Sequence, residues 1–148
     1  MKILLVACVV ISVDQISKYV INAFFSAQSG SLPVIPDVFH ISYVENTGIA
    51  FGMFRQYPAI LMSVIVLSVL LLIVYIIRSH EEKVSVQLAY GFIIGGAVGN
   101  LIDRFRLGYV VDFLDFRIWP VFNFADTFIS IGVGLILLDL LFHKEEKQ

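Results

Sequence analysis

Residues 56–77 read Gln56-Tyr57-Pro58-Ala59-Ile60-Leu61-Met62-Ser63-Val64-Ile65-Val66-Leu67-Ser68-Val69-Leu70-Leu71-Leu72-Ile73-Val74-Tyr75-Ile76-Ile77, without one charged side chain. A run of this length matches the ~20 residues that a helix needs to cross the ~30 Å hydrocarbon core of a bilayer. Three further stretches are of the same kind. Residues 84–102 are also uncharged, residues 3–25 are interrupted by Asp14 and Lys18, and residues 124–142 carry Asp126 at their start and Asp139 near their end. Lipid offers no partners to backbone N–H and C=O groups, so each stretch is expected to cross as a helix. The expected fold class is an all-α integral membrane protein with four transmembrane helices, one domain over residues 1–148.

Composition agrees. The 148 residues are 59% hydrophobic and 15% charged, whereas a soluble domain is nearer 45–50% apolar and about 25% charged. The net charge of -2 argues against nucleic acid as a partner. The only cysteine, Cys8, excludes an intrachain disulfide and a thiolate metal cluster, and reads as a small hydrophobe in the first helix. Lys2 before an apolar run imitates a signal peptide, but no small-x-small cleavage site follows and Asp14 breaks the run.

Four spans place Met1, the loop 78–83 and the tail 144–148 on one side. The longer segments 26–55 and 103–123 fall on the other. Positive charges do not orient this arrangement. Lys2, Arg78, Lys83, Lys144 and Lys147 stand on the first side against Lys18, Arg55, Arg104, Arg106 and Arg117 on the second. Lys18 lies inside a span and several of these arginines adjoin carboxylates, which favours a cytoplasmic first side. Segment 30–55 holds Pro33, Pro36 and Gly48 around the alternating Val38-Phe39-His40-Ile41-Ser42-Tyr43-Val44, a pattern of turns and one or two short strands. A small extracytoplasmic sheet between helices 1 and 2 is expected. Gly91, Gly95 and Gly99 share a face of the third span, where they permit close helix contact and bring Asn100 and Asp103 into place.

The polar residues of such a chain are the informative ones, because carboxylates are costly in or beside hydrocarbon. Asn-x-x-Asp occurs twice, at Asn100/Asp103 and Asn123/Asp126, with Asp112 between. The first pair closes one span and the second opens the next, so all five residues belong to one membrane face. His40, His80 and His143 are scattered and no His-Glu-x-x-His is present, which removes a zinc hydrolase and leaves no metal site expected. No Gly-x-Ser-x-Gly is present either. Two aspartates that share a proton remain, one activating water and the other polarising the scissile carbonyl. Asp126 is one candidate, with helix capping as its structural alternative. As its partner, Asp103 and Asp112 are level on these grounds, although the apolar neighbours of Asp112 should raise its pKa by desolvation. Asp115 reads as a solvated loop charge. Asp14 and Lys18, one turn apart and ~16 Å down the first helix, read as an internally neutral pair or as a polar wall below the site.

Taken in order, Asp14-Gln15-x-x-Lys18, Glu45-Asn46-Thr47-Gly48-x-Ala50-Phe51, Gly95-Gly96-Ala97-x-Gly99-Asn100-x-x-Asp103-Arg104, Val111-Asp112-Phe113 and Phe122-Asn123-x-Ala125-Asp126 resemble the lipoprotein signal peptidases, the type II signal peptidases of bacteria. The resemblance covers the whole chain. It implies an aspartic endopeptidase of the bacterial cytoplasmic membrane that cuts prolipoproteins before a cysteine already carrying diacylglyceryl. By motif position, the catalytic pair falls on Asp112 and Asp126. Asp14, Lys18, Asn46, Gly48, Asn100, Asp103, Arg104 and Asn123 fall on residues that support the pair or contact substrate. The resemblance further implies no cofactor, membrane lipid as surroundings, globomycin-type inhibitors, a monomer, cytoplasmic termini and a site near the outer leaflet. The segment between Asp112 and Asn123 is short beside some family members. Two other classes compete. A proton-coupled transporter would show paired repeats and broken helices near the midplane, and a bare helix-bundle scaffold would leave the asparagine and aspartate cluster unused.

Overall fold

The computed structural model describes residues 2–25, 30–48, 57–79 and 83–143. The motif residues Ala50 and Phe51, Arg55, the loop centre 80–82 and the tail 144–148 lie outside them. Four helices, α1 (Lys2–Phe24), α2 (Pro58–Ser79), α3 (Val84–Leu107) and α4 (Phe124–His143), accompany three strands, β1 (Ser31–Ile35), β2 (Phe39–Asn46) and β3 (Val110–Asp115). All four helices are long and apolar enough to cross a membrane. Their outer faces are apolar and open: among the described residues of α2, Leu61 alone is buried, while Leu67, Leu71 and Tyr75 are exposed. A belt of this kind on a water-soluble protein would aggregate; here it meets lipid chains.

Helix α3 is the centre of the bundle, packed against α1 on one side and α4 on the other. The buried residues of α1 are Ala7, Val10, Asp14 and Lys18, one stripe along the helix. The glycines of α3 match that stripe. A Cβ on Gly91 would stand 2.7 Å from Cβ of Val6, one on Gly95 2.7 Å from Cβ of Val10, and one on Gly99 2.5 Å from Oδ2 of Asp14. Gly96 turns to α4 instead, where a Cβ would lie 2.5 Å from the backbone oxygen of Ala125. The expected close packing is therefore present, and Gly99 lets Asp14 reach α3. Backbone cannot yield as a side-chain end does, so Gly96→Ala should cost about 1–3 kcal/mol. Gly134 meets nothing within 4 Å, and Gly134→Ala should be neutral or gain up to ~1 kcal/mol of helix propensity. Thermal unfolding of both variants in one detergent measures the contrast.

Two features depart from the sequence expectation. Helix α3 runs past residue 102 to Leu107 and stops at Gly108, whose left-handed φ of 84° lets its N–H cap the carbonyl of Arg104. Charge ends an apolar span but not a helix; glycine in the left-handed region does. Asn100, Asp103 and Arg104 consequently share one helical face. The second departure is β3. Its strand comes from the segment before α4, and it joins the hairpin from before α2 in a sheet of order β1-β2-β3, antiparallel throughout. The register sets Val44 opposite Asp112 and Asn46 opposite Val110, so Asn46 and Asp112 are diagonal neighbours on adjacent strands.

Candidate active site

At one end of the bundle, α1, β2, α3, β3 and α4 each contribute polar side chains to a continuous network. It begins on α1 with Lys18. Its ammonium lies 2.9 Å from Oδ2 of Asp14 and 2.8 Å from Oδ2 of Asp103, and donates to Oδ1 of Asn100 at 2.9 Å. Three N–H donors meet three acceptors, the full capacity of an ammonium. The pair expected between Lys18 and Asp14 is present, and Asp103 joins it, so that one cation serves two carboxylates, all three being buried. Arg104 does not pair with its neighbour Asp103. Its guanidinium instead donates to the carbonyl of Gly48 (3.0 Å) and, more weakly, to that of Asn100 (3.5 Å). The remaining oxygen of Asp14 accepts the N–H of Ala125 (3.0 Å), one of the orphan donors in the first turn of α4.

Asn100 carries the network across to α4. Its amide oxygen receives Lys18 and Asn123, so its nitrogen must face Asp126, and Nδ2 donates to Oδ1 of Asp126 at 2.8 Å. Asn123 is fully buried. Its Oδ1 accepts the N–H of Asp126 (2.9 Å), and Oδ2 of Asp126 accepts the N–H of Asn123 (3.4 Å). This reciprocal arrangement is a capping box with Asn and Asp in place of Ser and Glu. The capping reading of Asp126 is therefore correct, and compatible with a second role for its half-buried carboxylate. The same Asn123 donates from Nδ2 to Oδ1 of Asp112 at 2.6 Å. One side chain thus ties Asp112 and Asp126 together.

Asp112 is only 2% exposed. Its second oxygen accepts Nδ2 of Asn46 at 2.8 Å, and Asn46 in turn holds the N–H of Gly48 with Oδ1 (3.0 Å). Burial pushes the Asp112 carboxyl up to about 7, with the charge of Asp126 acting in the same direction. The amides of Asn46 and Asn123 and the charge of Lys18 pull the other way. Near neutral pH this carboxyl accordingly exchanges its proton readily.

Each of the ten expected site residues lies in this one cluster, and the two aspartates that were level differ in their surroundings. Asp103 is tied up by Lys18 (2.8 Å), by Gln15 (2.9 Å) and by the N–H of Val111 (3.3 Å). Asp112 alone is linked through an amide to Asp126. The solvated loop charge expected at Asp115 is instead buried, 6% exposed. Burial would raise its pKa, but the N–H of Arg117, the hydroxyl of Ser42 and the Arg117 guanidinium together hold it below the usual carboxylate range. Gln15 received no role from the sequence. Its amide bridges Asp103, the carbonyl of Gly99 (3.2 Å) and Asp14 (3.2 Å), and a carboxamide beside Asp14 in an apolar span was the available signal. Among the described residues, no three His, Cys, Asp or Glu side chains converge as a metal site. A cavity of about 210 Å³ adjoins the cluster, between Thr47 and Arg104 on one wall and Leu61 and Met62 of α2 on the other.

Comparison with known proteins places this geometry. The family model described as signal peptidase (SPase) II matches residues 6–142. The lipoprotein signal peptidase of Halothermothrix orenii is 49% identical over 138 residues, 92% of each chain. That of Moorella thermoacetica is 44% identical over 141 residues, 95% of this chain and 93% of its own. A bacterial membrane enzyme solved by the in meso method at 2.3 Å superposes with a TM-score of 0.89 at 33% identity, over 99% of this chain and 91% of its own. The four spans, their polar end and these matches agree: the chain belongs to the signal peptidase II family, the lipoprotein signal peptidases, as a multi-pass protein of the bacterial inner membrane.

Proposed function

We propose that this chain is an aspartic endopeptidase in which Asp112 and Asp126 hold one proton between them and activate a water against the peptide bond that precedes a lipidated cysteine. The observation that carries the reading is the bridge at Asn123, whose side-chain Nδ2 donates to Oδ1 of Asp112 and whose backbone N–H donates to Oδ2 of Asp126. Two such carboxyls ionise unequally, because the first negative charge opposes the second. The desolvated Asp112 is the better holder of the proton and can donate it to the scissile carbonyl oxygen. The half-buried Asp126, with Asn100 on Oδ1, is the better acceptor from water. Attack then gives a tetrahedral intermediate directly; as the bond breaks, Asp126 passes the proton it took from water to the leaving nitrogen, and Asp112 regains its proton from the collapsing hydroxyl. Asp14, Lys18 and Asp103 brace α1 and α3 beneath the pair, and Asn100 and Asn123 orient it. Asn46, Gly48 and Arg104 form the wall towards β2.

The substrate, a diacylglyceryl-modified prolipoprotein, would approach within the bilayer, its signal helix among apolar spans and its cleavage point at the polar end of the bundle. Termini in the cytoplasm and a site near the outer leaflet complete the reading. Residues 1–148 act as one peptidase unit, since five elements from α1 to α4 contribute to the cluster. The test is direct. The purified protein in detergent is mixed with prolipoprotein bearing or lacking the diacylglyceryl group. The lipidated form should yield a product whose first residue is the lipidated cysteine, and the unmodified form should remain intact. Equal cleavage of both forms, or cleavage elsewhere, would overturn the reading.

The pH dependence has a defined sign. Loss of the Asp112 proton removes the acid, so cleavage should fall as pH rises through about 7. The Asn46 amide donates to the ionised carboxylate and holds its pKa down. Asn46→Leu should therefore move the alkaline limb of kcat/KM to higher pH, whereas a downward or absent shift would count against Asp112 as the acid.

A further inference from the structure

A groove of about 540 Å³ opens beside Asp126, away from Arg104 and α2. One wall is the loop after β3, with Phe116, Ile118, Trp119 and Phe122; the other descends α4 through Thr127, Ser130 and Ile131. Resting on the peptidase reading above, we infer that this groove seats one acyl chain of the lipidated cysteine and aligns it alongside the catalytic pair. The sequence stretch Phe116 to Phe122 has no other role in that reading.

The loop is built to hold its shape. The N–H of Ile118 donates to the carbonyl of Phe116 (2.7 Å) over Arg117, whose φ is 65°. A three-residue turn with a non-glycine residue in the left-handed region is strained and persists only when its surroundings impose it. Asp115 does so: it is buried, and it receives both the N–H of Arg117 (2.9 Å) and its guanidinium (3.1 Å). Phe116 is braced further by parallel stacking on Phe122, with ring centres 5.9 Å apart. Yet the residues presented by this rigid turn are Ile118 and Trp119, which are 93% and 65% exposed. Apolar side chains held out by a fixed turn beside Asp126 suit an apolar ligand.

Peptide is the other occupant to weigh, and it fits less well. An extended peptide needs free backbone partners, but on this wall the carbonyl of Phe122 is taken by the N–H groups of Phe113 and Leu114, its own N–H goes to Leu114, and the N–H of Ile118 is turned back to Phe116. The hydroxyl of Thr127 is engaged with the carbonyl of Asn123 (2.9 Å). A helical signal segment is too broad. A helix of 10–12 Å diameter fills on the order of 500 Å³ per turn, so the groove would take about one turn of it. An acyl chain needs no hydrogen bonds, is narrow, and arrives sideways from the lipid that bathes α4, where Ser130 and Ile131 are exposed. Moving a chain from lipid into the groove gains packing rather than hydrophobic burial, so the groove acts chiefly in alignment.

The test compares matched prolipoprotein substrates bearing dipalmitoylglyceryl or dihexanoylglyceryl on the same cysteine, in one detergent. Trp119→Ala removes one wall, and Ser130→Phe fills the groove from an exposed position on α4. Each variant should lower the ratio of kcat/KM for the long-chain over the short-chain substrate, by about fivefold. Partition of substrate into micelles is common to wild type and variants and cancels in that comparison. An unchanged ratio, with both substrates slowed alike, would overturn the groove as an acyl site. Losses that instead follow changes in the apolar signal segment would assign the groove to peptide, also against the inference. Failure of the wild type to cleave either substrate would overturn the peptidase reading itself, a result distinct from both.

Discussion

Asp112→Asn and Asp126→Asn should each lower cleavage of diacylglyceryl prolipoprotein by at least about 10³-fold while the protein stays folded. The expected size follows from the chemistry. General acid or base catalysis by one group contributes about 10²–10⁴-fold, and in a carboxyl pair the loss of either member disables both roles. The fold should tolerate both changes. Asn is close in shape to Asp, and at position 112 it forfeits at most one of the hydrogen bonds from Asn123 and Asn46. It also removes an electrostatic burden. The folded-state pKa of Asp112, about 7, lies above its ordinary value of 3.8. The stabilising contribution of this group is therefore full below about pH 4 and is lost as pH rises through 7. The Asp112→Asn variant should hold its unfolding temperature better than the parent on the alkaline side. Activity and thermal unfolding measured on the same preparations separate catalysis from folding. Wild-type cleavage by either variant would remove that residue from the catalytic pair, and Asp103→Asn would then be the next to assay.

The four helices were legible because a bilayer imposes one length and one composition on whatever crosses it, and residues 56–77 meet both without exception. The end of α3 was not, since hydropathy marks where lipid stops and Gly108 marks where the helix stops. The site was legible as a set: each expected residue joins one network. Its internal wiring was less so. Choosing Asp112 over Asp103 depends on β3 pairing with β2 across about half of the chain, and on Lys18 reaching from α1 to occupy Asp103. Neither contact leaves a local pattern. Motif order favours Asp112, whereas spacing alone leaves the two level. Asp115 shows the same limit, because its burial follows from Ser42 on another strand and from the backbone turn at Arg117. A short acidic loop sequence gives no sign of either.

Lys18→Met should be the most destabilising change in the network, by about 3–5 kcal/mol, because it leaves Asp14 and Asp103 buried with no countercharge. It should also slow catalysis by a separate route. Lys18 donates to the amide oxygen of Asn100, and this contact helps turn Nδ2 of Asn100 towards Asp126. Without the ammonium, the oxygen of that amide keeps the longer bond from Asn123 (3.2 Å). Neutralising the stranded carboxylates resolves the two effects. In the triple variant Asp14→Asn, Lys18→Met, Asp103→Asn, no buried charge remains among these three residues, and the carboxamide oxygen introduced at position 14 can still accept the N–H of Ala125. A buried charge cluster replaced as a unit by neutral groups often keeps its stability. The triple variant should thus recover most of the unfolding temperature lost in Lys18→Met. Its kcat should stay at least about tenfold below wild type with little change in KM, because misorienting a group at the reacting centre affects the transition state more than binding. If the triple variant recovers both stability and full kcat, Lys18 is a charge balance alone and does not orient Asn100. If it recovers neither, the loss in Lys18→Met comes from packing around α1, and the two carboxylates are not its cause.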